Sequence, residues 1–324
     1  MAQAAFSSLS LSKAQLTNLS SLGYHKMTPT QAQSLPAILQ GKDVIAKAKT
    51  GSGKTAAFGL GLLNKINPRF FGVQALVLCP TRELADQVGK EIRRLARATS
   101  NIKLILLCGG KPFGPQVGSL EHGAHIVVGT PGRIQDHLRK STLKLDGLTT
   151  LVLDEADRML DMGFIDVMQE IFEQTPSSRQ TLLFSATYPD TIQHISKRFQ
   201  KKPLMVTVES DHQPNVIEQL FYEVKKHQRN NSLLALFEHY QPESTVVFCH
   251  TKKQCDEVAV WLREHQIEAL AIHGDLDQRE RDQVLVRFAN NSCSVLVATD
   301  VAARGLDIKA LQAVINYELP RDPE

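Results

Sequence analysis

Residues 44–55 constrain this chain more than any other stretch. Val-Ile-Ala-Lys-Ala-Lys-Thr-Gly-Ser-Gly-Lys-Thr is a short apolar run that passes into a glycine-bearing loop and closes on Gly-Lys-Thr. The pattern predicts a buried strand, a tight loop and a helix beginning near Lys54, which together form a phosphate cradle. Across Thr50, Gly51, Ser52 and Gly53 the backbone can turn its N–H groups inward, and the helix N-terminus adds partial positive charge. Lys54 is placed to reach the terminal phosphates and Thr55 to hold Mg²⁺ through its hydroxyl. The usual first glycine of such a loop is replaced by Ala48. A small-residue turn carrying a surface lysine is the alternative, and the closing Gly-Lys-Thr argues against it.

A strand-loop-helix unit of this kind needs a parallel sheet around it, and the rest of the chain supplies one. Apolar runs of strand length recur at Ala75–Cys79, Ile102–Leu107, Ala124–Val128, Thr150–Leu153, Thr181–Phe184 and Leu204–Val208, with helical patterns between them, such as Glu83–Ala98. Uninterrupted apolar strands alternating with helices indicate an α/β fold whose parallel sheet is buried on both faces. Before the loop, Leu11, Leu16, Leu19 and Leu22 keep helical spacing up to Gly23, and a second helix starts near Pro29.

At 324 residues the chain exceeds what one core usually serves, so two domains are expected. The polar, proline-bearing segment 209–216 reads as a linker between residues 1–208 and 217–324. A second alternation follows it: strand Ile217–Val224, helix Asn231–His239, strand Thr245–Cys249, helix Lys252–Glu264, strand Ala269–Ile272, helix Gln278–Ala289, then strands Ser294–Ala298 and Ala313–Asn316. The two halves share an architecture, but only the first has a phosphate loop.

The net charge of +3 hides an asymmetry. Residues 1–209 carry 25 Lys and Arg against 16 Asp and Glu, whereas residues 210–324 carry 12 against 18, so a polyanion is drawn to the first half. No apolar run approaches membrane-span length and the N-terminus lacks a basic region followed by an apolar core, so a cytoplasmic location without membrane contact is expected. The five cysteines lack metal-site spacing and are expected to be reduced thiols, mostly buried in strands.

Ligands gather at the carboxyl ends of parallel strands, and the polar turns lie there. Pro80-Thr81-Arg82-Glu83, Gly109-Gly110, Thr130-Pro131-Gly132-Arg133, Asp154-Glu155-Ala156-Asp157 and Ser185-Ala186-Thr187 each follow an apolar run. Asp154 and Glu155 suit one carboxylate that holds Mg²⁺ and another that polarises an attacking water, the alternative being an acidic helix cap. Arg82, Gly109, Gly110, Thr130 and Arg133 suit backbone contacts to a nucleic acid, although each taken alone also fits a local pairing or a turn. Gln31 carries donors and an acceptor for an adenine edge, with Phe6 or Tyr24 for its face, the alternative being a solvated or capping glutamine in a first helical turn. In the second half Gly274, Thr299 and the run Arg304-Gly305-Leu306-Asp307 occupy or follow strand ends. Gln278 and Arg281 either meet a phosphate or pair with Glu280 and Asp282, and the local pairing is preferred on the residues alone.

These residues, in this order, resemble the DEAD-box RNA helicases. Asp154-Glu155-Ala156-Asp157 spells the family's signature, and a phosphate loop with Ala48 in front is its variant of that motif. Pro80-Thr81-Arg82-Glu83-Leu84-Ala85, Val246-Val247-Phe248 and Gln278–Arg281 also fall in the family's order, and the match spans nearly the whole chain. Arg158–Phe164 and Gly274–Arg279 look most like the bacterial DbpA branch, which is associated with ribosomal RNA and large-subunit assembly. The resemblance implies two RecA-like P-loop domains in tandem that clamp ATP and RNA between them, in a monomer. It implies that Gln31 selects adenine, Lys54 and Thr55 hold phosphates and Mg²⁺, Asp154 holds Mg²⁺ through water, and Glu155 orients the attacking water. By the same resemblance Ser185 and Thr187 couple hydrolysis to RNA release. Arg82, Gly109, Gly110, Thr130, Arg133, Gly274, Gln278, Arg281 and Thr299 touch RNA, and Asp307 approaches the ribose.

Family members continue into a His-x-x-Gly-Arg-x-x-Arg segment, and nothing in this sequence matches it. Arginines of that kind contribute on the order of a thousandfold to phosphoryl transfer. The second domain is therefore expected to be incomplete, and the chain to bind ATP and RNA with little turnover.

Overall fold

The computed structural model describes residues 4–49, 51–208, 217–299 and 311–319. The chain divides into two compact units, Met1–His212 and Gln213–Glu324. Thr50, the segment 209–216 and the run Arg304–Asp307 lie outside the described residues.

The first unit is built on seven strands: β1 (Val44–Lys47), β2 (Ala75–Leu78), β3 (Leu104–Leu107), β4 (Ile126–Gly129), β5 (Thr150–Leu153), β6 (Gln180–Ser185) and β7 (Leu204–Thr207). They form one parallel sheet in the order β3-β4-β2-β5-β6-β1-β7. Alternate residues of β1 to β6 enter opposite cores, whereas the edge strand β7 buries Val206 and leaves Leu204 and Met205 exposed. Val44, Ala46, Val77, Val152, Leu182 and Phe184 face one, while Ile45, Leu76, Leu78, Leu151, Leu153 and Leu183 face the other. Helices α1 (Lys13–Ser21), α2 (Pro29–Leu39), α3 (Lys54–Lys65) and α4 (Arg82–Leu95) cover the first face with Leu19, Ile38, Phe58 and Ile92. After α5 (Phe113–Glu121), helices α6 (Pro131–Arg139), α7 (Ala156–Asp161), α8 (Ile165–Glu173) and α9 (Asp190–Phe199) cover the second with Ile134, Met159, Phe172 and Ile192. Burial on both faces is why the strands read as unbroken apolar runs, and each buried Leu or Ile contributes roughly 1.5–3 kcal/mol.

The second unit holds α10 (Arg229–Tyr240), β8 (Thr245–Cys249), α11 (Lys252–Glu264), β9 (Ala269–Ile272), α12 (Gln278–Ala289), β10 (Val295–Thr299) and β11 (Ala313–Asn316). Its four strands are parallel in the order β11-β8-β10-β9. Val247, Val295 and Val297 pack with Leu233 and Leu262 on one face, and Leu296 and Ala298 with Phe288 on the other.

Two expectations need correction. Residues 217–224 form no strand: the backbone pairs with no sheet among the described residues, and Ile217 and Phe221 are 73% and 82% exposed. Apolar spacing suggests a strand, but a ladder partner makes one, and here no ladder is formed. The cysteines are all free and buried, yet only Cys249 lies within a strand; Cys79 and Cys108 follow strands, Cys255 sits in α11 and Cys293 precedes β10. Among the described residues no helix is long and apolar enough to cross a membrane.

Candidate nucleotide and nucleic-acid site

Strand order sorts the motif turns into two groups along the carboxyl edge of the first sheet. The adjacent strands β5, β6 and β1 end in Asp154–Asp157, Ser185–Thr187 and the phosphate loop. The adjacent strands β3, β4 and β2 end in Gly109-Gly110, Thr130–Arg133 and Arg82.

In the phosphate loop Gly51 and Gly53 have φ of 80° and 86°, the left-handed region that glycine alone enters freely. Gly53 directly precedes α3, and the Lys54 ammonium, 6% exposed, donates to Ala48 O at 3.1 Å. A Cβ added to Gly53 would stand 2.5 Å from Gln31 Nε2 and 2.9 Å from Thr28 Oγ1, so the α2 N-terminus is built against the loop. Thr28 caps α2 in a reciprocal box with Gln31, and its hydroxyl donates to Ser52 O at 2.7 Å. Gln31 Oε1 accepts from Thr28 N–H at 2.9 Å and Nε2 donates to Gly53 O at 3.1 Å. One amide hydrogen and one lone pair of Gln31 remain, which is the pair an adenine edge requires. Phe6 is buried in the core with its ring edge-on to Tyr24 at 6.2 Å, and the Tyr24 hydroxyl donates to Glu91 at 2.6 Å.

The four carboxyl-bearing and neighbouring residues of 154–157 have distinct settings. Asp154 is 2% exposed and its Oδ1 has no hydrogen-bond partner. Burial raises its pKa to about 6; nearby Lys54 opposes this, while Glu155 and Asp157 add to it. A buried carboxylate oxygen without a partner is the kind of atom that a cation satisfies. Among the described residues no group of three or more ligating side chains is present, so a magnesium ion would be held by Thr55, Asp154, phosphates and water, the sparse set that ion prefers. Glu155 takes the left-handed conformation at φ 53° and pairs with Arg158 at 2.7 Å. Asp157 ties this turn to the next: its Oδ2 accepts from Ala186 N–H, Thr187 N–H and Thr187 Oγ1 at 3.1, 2.8 and 3.0 Å. Its own N–H donates to Ser185 Oγ at 3.2 Å. Ser185 and Thr187 are thereby fixed relative to Asp154.

In the second group Arg82 lies directly under the glycine pair, because a Cβ at Gly110 would fall 1.9 Å from its Nη1 and one at Gly109 would fall 3.3 Å from its Nη2. Arg133 Nη1 donates to Lys111 O at 3.0 Å, which joins the α6 N-terminus to the glycine turn. Thr130 precedes α6 without a side-chain cap bond, so its hydroxyl is not used by the helix. Behind these turns His137 is fully buried, bonded at Nε2 to Gln116 Oε1 (3.0 Å) and at Nδ1 to Thr142 Oγ1 (2.8 Å), with Phe113 stacked 4.1 Å away.

In the second unit Gly274 and Thr299 stand at the carboxyl ends of the adjacent strands β9 and β10. Gln278 Nε2 donates to Asp282 Oδ1 at 2.9 Å, the local pairing preferred from sequence, and Arg281 Nη1 donates to His273 O at 3.4 Å. The roles of Thr28, Ala48 and Asp157 escaped the residue-by-residue reading. Thr28 was visible in the Thr-x-x-Gln capping signature, whereas a backbone carbonyl such as that of Ala48 leaves no sequence signal.

Residues 28–195 match the DEAD/DEAH box helicase family and residues 225–324 the helicase conserved C-terminal domain. Over 321 residues the chain is 60% identical to the ATP-dependent RNA helicase DbpA of Escherichia coli, covering 99% of this chain and 70% of that protein. It is 44% identical over 321 residues to the DEAD-box ATP-dependent RNA helicase CshA of Bacillus cereus, covering 98% of this chain and 61% of that one. Among solved structures, Saccharomyces cerevisiae Dbp5 bound to RNA and ADP BeF3 superposes with a TM-score of 0.87 at 30% identity, covering 98% of this chain and 81% of that one. A DEAD box protein from Methanococcus jannaschii superposes with a TM-score of 0.62 at 39% identity, covering 98% and 86%.

Proposed function

This chain belongs to the DEAD-box ATP-dependent RNA helicases, and from that premise we propose that it binds ATP with magnesium in the β1–α3 loop and RNA on the turns after β2, β3 and β4. The sorting of motif turns into two contiguous groups carries this reading, because it separates a phosphate-handling end from a backbone-contacting end on one sheet edge. Lys54 neutralises the terminal phosphates, and Glu155, on leaving Arg158, orients the attacking water. The unpartnered Oδ1 of Asp154 and the Thr55 hydroxyl would hold magnesium, which when bound would supply charge neutralisation of the phosphates. Asp157 carries displacement of the Asp154 turn to Ser185 and Thr187, and so toward RNA release. Gly110 and Thr130 offer an N–H and a hydroxyl to the sugar-phosphate chain, an arrangement that positions RNA without reading its sequence. Within the second unit the same reading assigns RNA contacts to Gly274 and Thr299 and a ribose contact to Asp307. On the resemblance of Arg158–Phe164 and Gly274–Arg279 to the DbpA branch, the proposal extends to structured ribosomal RNA in large-subunit assembly, with the chain acting as a cytoplasmic monomer.

The test is ATP hydrolysis by the 324-residue chain with ribosomal RNA, with DNA of equal length, and with neither, beside Lys54→Ala and Glu155→Gln. Weak turnover, stimulated by RNA alone and abolished by both substitutions, is expected. Equal stimulation by DNA overturns the RNA assignment. ATP and RNA binding without turnover in the unsubstituted chain would make it a nucleotide-gated RNA-binding protein.

A further inference from the structure

The opposite, amino-terminal edge of the first sheet carries a basic groove that the motif turns do not use. Two cavities of about 440 and 660 Å³ lie there. The first runs between the end of α4 and the start of β3, and the second between α1 and Arg97, which lines both. Arg93, Arg97 and Lys103 line the first and Lys13 the second, and no carboxylate lines either. Arg93 is anchored by donating to Leu104 O, on the lining of the first cavity, at 3.2 Å, and Lys103 donates to His122 O at 3.2 Å. Lys13 stands in the first turn of α1 with no acidic residue beside it, a position where the helix dipole disfavours a cation and an anion offsets the penalty. At one end of the groove the Phe71 ring is 48% exposed and braced by His125 at 4.9 Å, which leaves an aromatic surface beside the cations.

Fixed cations, no acids and an exposed ring are what a single-stranded nucleic acid recognises, through phosphates and base stacking. An acidic peptide would use the charges but has no need of the ring. β3 is the edge strand of the sheet, with Gly109-Gly110 beyond its carboxyl end and the groove at its amino end. The two are separated by the length of a four-residue strand, roughly 13 Å. We infer that Lys13, Arg93, Arg97, Lys103 and Phe71 form a second RNA-binding groove, which takes single-stranded RNA continuing past the glycine turn around the β3 edge. The inference rests on RNA being the ligand of the motif turns.

The experiment measures binding of single-stranded RNAs of on the order of ten and thirty nucleotides to the full chain across a salt series. The combined Arg93→Gln, Arg97→Gln, Lys103→Gln variant is expected to bind the short RNA and ATP as the unsubstituted chain does. Its affinity for the long RNA should fall at least about tenfold, and its log–log salt slope should shrink by roughly 2, about 0.7 for each lost phosphate contact. Phe71→Leu should weaken long-RNA binding with the salt slope unchanged. Equal losses for both RNAs, or no loss for either, overturn the groove while leaving the motif-turn reading intact. Loss of polyglutamate binding with long-RNA binding preserved overturns it in favour of an acidic protein. If the unsubstituted chain binds neither RNA, the functional reading fails and the groove with it.

Discussion

Replacing His137 by glutamine should flatten the acid side of the first unit's stability profile. The ring is fully buried, with Nε2 3.0 Å from Gln116 Oε1 and Nδ1 2.8 Å from Thr142 Oγ1, whose hydroxyl donates to His137 O at 3.1 Å. Burial, helped by the charges of Arg133 and Lys140, lowers its pKa to about 4 from an ordinary value of about 6.5. Above pH 6.5 the ring is neutral in both the folded and the unfolded chain. As pH falls from 6.5 toward 4, only the unfolded chain takes the proton, and the stability associated with the neutral ring is lost. At 1.36 kcal/mol per unit the loss at pH 5 is about 2 kcal/mol. Asp154 acts in the opposite sense over part of this window, because its raised pKa makes the folded chain the better proton acceptor, but it is common to both proteins and cancels in the difference. The assay is urea unfolding at pH 7.5 and pH 5 followed by circular dichroism. The single tryptophan, Trp261, lies in the second unit, so its fluorescence reports that unit separately and should not shift. Relative to His137→Gln, the unsubstituted first unit should lose about 2 kcal/mol between the two pH values. Parallel pH profiles for the two proteins would refute the argument.

Three further outcomes are expected. Gly53→Ala puts a Cβ 2.5 Å from Gln31 Nε2 at φ +86°, and ATP affinity, read by titration with a fluorescent analogue, should drop at least about tenfold, with stability reduced by roughly 1–2 kcal/mol. Asp157→Ala strands the N–H groups of Ala186 and Thr187, so the first unit's unfolding free energy should fall by about 3 kcal/mol, and RNA-stimulated turnover should fall more than ATP affinity. Gly110→Ala drives a methyl into the Arg82 guanidinium, so RNA affinity should weaken in an anisotropy assay while nucleotide affinity is unchanged.

Most strands were legible because burial on both faces leaves an apolar run that local composition cannot disguise: Thr150–Leu153, Thr245–Cys249 and Ala269–Ile272 are strands with the bounds expected. Ile217–Val224 also carries Ile, Leu, Phe, Tyr and Val, but strand formation depends on a neighbour that composition does not encode. The phosphate loop was legible because each of its atoms has a local cause in Gly51, Gly53 and Lys54. Strand order was not, since pairing of β5 with both β2 and β6 depends on contacts distant in sequence. That order is what separates the two groups of turns. His137 gave no signal either: a histidine in a helix shows its burial only once Phe113, Gln116 and Thr142 are folded around it.

The sheet order also sets a timetable for synthesis. β1, whose end is the phosphate loop, has β6 and β7 as its only neighbours, and both are made on the order of a hundred residues later. β2 to β5, by contrast, are contiguous in the sheet and can pair among themselves as soon as they leave the ribosome. At ordinary elongation rates β1 waits on the order of ten seconds for its strand partners, while α3 can pack on α2 and α4 as soon as they are made. On the proposed assignment the RNA-contacting turns are thus assembled first, and the phosphate loop gains its sheet neighbours only when β6 and β7 arrive.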